Sequence, residues 1–234
     1  KRDEENGDVI FNEMITSEDS AQTLRLLSSH ISRSNAQFLE FVNDTYFQVT
    51  DGFVSEDLGK LQKAVTGLRR ERMELKQTRR KEMLGLRRID PDVAIEKNTW
   101  FHLGINSCED MLYSLRRICD PCVEHIDNSF VPLDKERVKE FLPLRDTLLY
   151  LLKRVCGVIS AGDFTDVQKL NEQCDAFKHC LSQTRDEQMA RMQAGRENIT
   201  VSYVYLNILQ ETQEMASSLK HMLRAARHFS EGRA

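Results

Sequence analysis

The 234-residue chain is 40% hydrophobic and 30% charged with a net charge of −4, enough apolar material for a substantial core in one or two domains. The acidic balance argues against a general nucleic-acid binder, and the six cysteines, five at helical core positions and with no signal peptide ahead of them, fit a reducing compartment better than a disulfide framework. The longest apolar patch, Leu142 to Ile159, is interrupted by Arg145, Asp146, Lys153 and Arg154, which excludes a membrane-spanning helix.

The opening KRDEENGD is polar, and residues 1–16 are expected to be a linker from a larger protein. Beyond it, apolar residues recur at spacings of three and four with few β-branched runs, which leaves no room for a sheet. Ser17 is a candidate cap for a first helix with the seam Leu24, Leu27, Ile31, Phe38, Phe41, Val42 and Thr45, ended by Asp51-Gly52. Ser55 restarts the chain into a second helix with Leu58, Leu61, Val65, Leu68 and Leu75 inward, ending near Arg88.

Asp90-Pro91 is a strong start signal, since Asp accepts from free first-turn amides and Pro gives up a donor that has no partner there. The third helix is expected to run to about Asn128, roughly 57 Å at 1.5 Å per residue. Its seam is Cys108, Met111, Leu112, Leu115, Ile118, Cys119, Cys122, Val123 and Ile126, with a kink predicted at Pro121. Asp134 opens the fourth helix (Phe141, Leu144, Leu148, Leu151, Val155, Val158), with Pro143 splitting off its first turn and Gly157 and Gly162 closing it. Asp163 caps the fifth (Val167, Leu170, Cys174, Phe177, Leu181, Thr184), and Gly195 separates it from the sixth. The sixth carries Val201, Tyr205, Ile208, Thr212, Met215, Leu219, Met222, Ala226 and Phe229.

A shift of 104 positions lays Asp110 on Glu214, Met111 on Met215, Ser114 on Ser218, Leu115 on Leu219 and Ile118 on Met222. Apolar and polar classes agree along the match, so the chain reads as two copies of one helical unit. The predicted fold is all-α: two tandem antiparallel three-helix units, residues 17–130 and 131–234, with the third and sixth helices as central spines.

The charge is unevenly placed. Leu68 to Arg88 holds nine basic residues against three acids, a surplus of six that leaves the rest of the chain at −10. Such a window serves either as a solubilising face with intrahelical pairs such as Arg79 with Glu82, or as a contact for anionic headgroups or an acidic loop. Arg79, Arg80 and Lys81 are expected to lie beyond the apolar seam.

Cys119-Asp-Pro-Cys122 has the spacing of a redox pair or half a zinc site, but both sulfurs fall on the seam, which favours packing. A zinc site would need His125, or Cys174 and Cys180, as neighbours. Glu40 with Asp44 and Asp120 with Glu124 are carboxylate pairs of helical spacing that a solvated face explains. No phosphate-cradling glycine loop, HExxH or nucleophile elbow occurs, so an enzyme is not expected.

The doubled three-helix plan, with the stretch LYSLRRICDPCVEHIDN on its third helix, resembles the PhoU-like domains, and in particular the PhoU-like regulatory domain fused to PiT-type inorganic phosphate permeases. The resemblance implies a six-helix PhoU-like bundle that modulates phosphate transport from the cytoplasmic face of the inner membrane, as part of an integral membrane protein. The partners it implies are the membrane domain of the parent transporter, an anionic lipid surface or a second copy. Arg69, Arg72, Lys76, Arg79, Arg80 and Lys81 are then the candidate contacts.

The family's carboxylate-x-x-x-carboxylate motif, which binds metal in several relatives, falls on Asn106-x-x-x-Asp110 and Gln210-x-x-x-Glu214. In both copies the first acid is an amide, so Asp110 and Glu214, with Asn106 and Gln210, are metal candidates of half the family's charge, and no tight cofactor is expected. A ligand-free scaffold of spectrin type and a free-standing PhoU-like phosphate-signalling or metal-binding protein are the alternatives.

Overall fold

The computed structural model describes residues 20–231, among which there are six helices and no strand. They are α1 (Ser20–Val54), α2 (Leu58–Leu86), α3 (Pro91–Asp127), α4 (Lys135–Ala161), α5 (Val167–Gln193) and α6 (Ile199–Glu231). The expected linker over residues 1–16 and the cap at Ser17 lie outside the described residues.

Side-chain chemistry sets several helix starts. Asp57, Asp90 and Asp134 each accept from a first-turn amide, those of Lys60, Asp92 and Arg137, and so supply partners that the helix itself lacks. Gly162 closes α4 at φ 66°, a left-handed conformation that costs glycine little.

Several boundaries differ from the sequence reading: α2 is capped by Asp57 and does not open at Ser55, α4 runs through Gly157, and three others have a local cause. Asp51-Gly52 does not end α1, which continues to Val54. Gly52 serves packing instead: a Cβ there would lie 3.1 Å from Leu61 Cγ and 3.3 Å from the Asp57 carbonyl oxygen, so α2 folds back closely because no side chain intervenes. Pro143 does not split α4; it forfeits one intrahelical bond at an exposed position while Phe141 and Leu148 hold the helix to the core. α5 begins at Val167, not at Asp163, because Asp163 Oδ1 accepts from both the amide and the hydroxyl of Thr165 and closes a turn of its own.

α3 and α6 form the central pair and run antiparallel. Trp100 stacks on His228 with centroids 4.1 Å apart, while further along Asn207 Nδ2 donates to the Arg117 carbonyl at 2.8 Å and Arg117 Nε meets Glu211 Oε1 at 3.2 Å. α2 covers α1 and α3, α5 covers α6, and α4 lies mainly along α1. That last contact bridges the two triplets through Asn43 Nδ2, which donates to the Leu149 carbonyl at 2.9 Å, and α1 also reaches α6, where the Tyr46 hydroxyl meets Thr212 Oγ1 at 2.8 Å in the interior.

The apolar seams meet in one continuous core that takes in Cys108, Met111, Leu115, Ile118, Cys119 and Cys122 of α3 and Tyr205, Ile208, Met215, Leu219 and Met222 of α6. A smaller cluster of Leu27, Ile31, Leu86, Ile89, Phe101 and Phe229 closes the end where α1 and α3 begin and α2 and α6 finish. The all-α six-helix architecture is therefore as the periodicity predicts. No helix among the described residues is long and apolar enough to cross a membrane.

Candidate functional site

α2 has two faces of opposite character. Leu61, Ala64, Leu68, Leu75, Arg79, Glu82 and Leu86 are buried and follow one another at helical spacings, so the inward stripe contains an arginine and a glutamate. Arg79 is 5% exposed and Glu82 0%.

Arg79 Nη1 donates to Glu82 Oε2 at 2.6 Å and to Ser34 Oγ at 3.2 Å, and its Nη2 donates to Asn35 Oδ1 at 2.6 Å. Glu82 Oε1 also accepts from Ser34 Oγ at 2.7 Å and lies 3.1 Å from His30 Nδ1. Burial pushes the Glu82 carboxyl up, but the Arg79 guanidinium and the hydrogen bonds from His30, Ser34 and Arg79 outweigh it and hold it below the usual carboxylate range. Arg79 Nε is buried without a hydrogen-bond partner, and the Arg79 side of the network adjoins a small cavity of about 40 Å³ beside Trp100, Phe101 and Phe229.

Arg79 is thus a structural residue, which corrects its place among the surface contacts. The intrahelical pair with Glu82, expected on a solvated face, is a buried network joining α2 to α1.

The outward stripe holds Arg69, Arg72, Lys76 and Arg80, all exposed and spaced three, four and four apart. Between them stand Met73, 65% exposed, and further along Leu84, 49% exposed. Lys81 is exposed beside this stripe, not on it. Cations around exposed apolar side chains on one helix face form a surface suited to an amphipathic partner or an anionic interface. On the half-buried flank of α2, away from the stripe, burial and the neighbouring Glu74 push the Glu71 carboxyl up to about 7.

The amide and carboxylate motif sits on the central pair. Asn106 and Asp110 are exposed on α3, and on α6 the half-buried Gln210 donates from Nε2 to the exposed Glu214 at 3.1 Å. Each copy offers a cation one carboxylate, and in the second copy that carboxylate is already tied to its own amide. No group of three or more His, Cys, Asp or Glu side chains that could hold a metal occurs among the described residues. The donor set does not fit a carboxylate-bridged cluster.

The zinc alternative at Cys119 and Cys122 fails on the same ground. Both thiols are fully buried, and burial pushes Cys119 up to about 12 and Cys122 well above the ordinary thiol value. His125 Nε2 is engaged with the Val131 carbonyl at 2.7 Å, and Cys180 is exposed while Cys174 is buried.

The sequence matches no family model and no curated protein. Solved structures do match. PhoU from Pseudomonas aeruginosa aligns with a TM-score of 0.70 at 9% identity over 88% of this chain and 98% of that one. The chain has the PhoU fold. The phosphate transport system regulatory protein PhoU from Streptococcus pneumoniae aligns with a TM-score of 0.65 at 13% identity, over 90% of this chain and 98% of its own. At these identities the likeness to PhoU lies in the helical plan, so the side chains of α2 and of the central pair carry whatever is particular to this chain.

Proposed function

We propose that this chain is the regulatory domain of an inorganic phosphate permease, a PhoU-type bundle that modulates transport by contact and carries out no reaction. The observation that supports a membrane-side contact is the exposed stripe of Arg69, Arg72, Lys76 and Arg80 around Met73 and Leu84. The fold supports the link to phosphate, since one neighbour of the same plan is a phosphate transport system regulatory protein. On this reading the domain works at the cytoplasmic face of the inner membrane, with the transporter's membrane domain and the adjoining anionic lipid as partners.

A basic side chain near an anionic surface gains on the order of 1 kcal/mol, screened beyond a Debye length of about 8 Å at physiological salt. Arg69→Glu, Arg72→Glu and Lys76→Glu together are therefore expected to weaken binding to phosphatidylglycerol vesicles by about a hundredfold or more. Cosedimentation at low and moderate salt checks this, and the difference should narrow as salt rises. Equal binding by parent and variant at both salts would make the stripe a solvated face.

We further propose that the domain works without a tightly held metal. Elemental analysis after purification without chelator should find well under about one transition metal per chain, because the amides Asn106 and Gln210 leave each copy a single carboxylate and so too little charge to hold a metal tightly. Stoichiometric zinc or iron that is lost in Asp110→Ala or Glu214→Ala would reverse this.

A further inference from the structure

A second cationic surface lies away from α2, where the first half of α5 meets the last turns of α6. It is a cleft of about 420 Å³ whose wall carries Lys178, Lys220, His221, Arg224, Arg227 and His228. α2 does not pack against α5, so this cleft is not an extension of the exposed stripe. In a chain of net charge −4, so many basic groups around one concavity is an arrangement that solubility does not require.

Two of these cations are neutralised. Lys220 Nζ pairs with Asp175 at 2.5 Å and Arg227 Nε with Glu231 at 3.2 Å. Lys178 and Arg224 have no carboxylate partner among the described residues. Arg224 is held over the Trp100 ring at 5.5 Å, and His228 stacks on the same ring. A guanidinium fixed on an aromatic face loses rotamer freedom in advance while its N–H groups stay available, which is how a binding group is pre-organised.

We propose that this cleft binds a compact anion bearing more than one phosphoryl group. Its volume lies in the range of small-molecule sites. Asn171 and Ser217 add uncharged polar groups beside the cations, and Val167 is the one apolar lining residue, so an oxygen-rich anion fits and an apolar ligand does not. Guanidinium and ammonium groups converging from two helices make charge-assisted bonds to several phosphoryl oxygens at once.

Pyrophosphate is the simplest probe, and the single tryptophan of the chain, stacked on His228 and lying under Arg224, touches two lining residues and so serves as a reporter. Calorimetry and Trp100 emission should show saturable pyrophosphate binding that weakens with salt. Lys178→Gln with Arg224→Gln should raise the dissociation constant by at least about tenfold, the loss of one or more charge-assisted hydrogen bonds, with the circular dichroism spectrum unchanged. Arg69→Glu, Arg72→Glu and Lys76→Glu should leave pyrophosphate binding intact. If pyrophosphate fails to bind but vesicles of cardiolipin, whose headgroup carries two phosphoryl groups, do, and the Lys178 and Arg224 variant loses them, the same chemistry holds with a lipid headgroup as its source. No saturable binding of either probe, or equal binding by parent and variant, or equal loss in the α2 variant, would overturn the site.

Discussion

Glu82→Ala is expected to lower the unfolding free energy by about 3–5 kcal/mol, the range for breaking a buried ion pair by removing one partner. The carboxylate is fully buried and neutralises a guanidinium that is itself 5% exposed. Its loss leaves Arg79 charged in the interior with only Asn35, Ser34 and Cys108 as neutral acceptors. Replacing both members by apolar residues of similar volume, Arg79→Met with Glu82→Leu, should cost far less, because no uncompensated charge remains. Urea denaturation of the single and double variants separates the two cases. A single-variant loss below about 1 kcal/mol would show that the charge finds water.

The effect should depend on pH with a definite sign. Because the folded carboxyl titrates below its ordinary value of 4.5, its stabilising contribution is fully present above that value and is lost as pH falls through the lower folded one. Parent and Glu82→Ala should therefore converge in stability in strong acid and stand furthest apart from pH 5 upward.

Leu115→Ala and Leu219→Ala should each cost about 2–5 kcal/mol, the transfer term of the lost methyl groups plus the cavity left between close-packed helices. Both side chains are 0% exposed, and both belong to the continuous core built by the central pair. Losses below about 1 kcal/mol at both would mean that the antiparallel contact of α3 and α6 contributes little.

Much of this architecture is legible in the sequence because burial repeats with the helix. The rhythm of Leu115, Ile118 and Cys122, and its echo in Leu219 and Met222, already singles out the central pair, and Asp90-Pro91 and Asp134 mark real starts. The misplaced boundary at Asp163 depends on a choice between two local bonds, a helix cap or a turn closed on Thr165, that composition does not decide. Gly52 reads as a stop because its packing partner Leu61 is known only once α2 has folded back.

Arg79 and Glu82 were concealed by their charge. The spacing from Leu75 to Leu86 passes through positions 79 and 82, so continuing the seam would have put both inside, whereas treating every charge as solvated put them outside. The opposite limit holds at the α5 and α6 cleft. Lys178 and the basic residues of the last turns of α6 are ordinary helix charges until the two helices pack side by side, and no local pattern announces that meeting.

On the proposal that the chain regulates a phosphate permease, phosphate uptake by cells whose copy of this chain carries Arg69→Glu, Arg72→Glu and Lys76→Glu tests most directly whether the bundle acts through its α2 stripe. With abundance and fold unchanged, uptake is expected to depart from that of the parent under both phosphate-rich and phosphate-poor growth, and Arg79→Met with Glu82→Leu, which leaves the stripe intact, is expected to behave as the parent does. Uptake by the stripe variant that matches the parent in both conditions would contradict regulation through this surface.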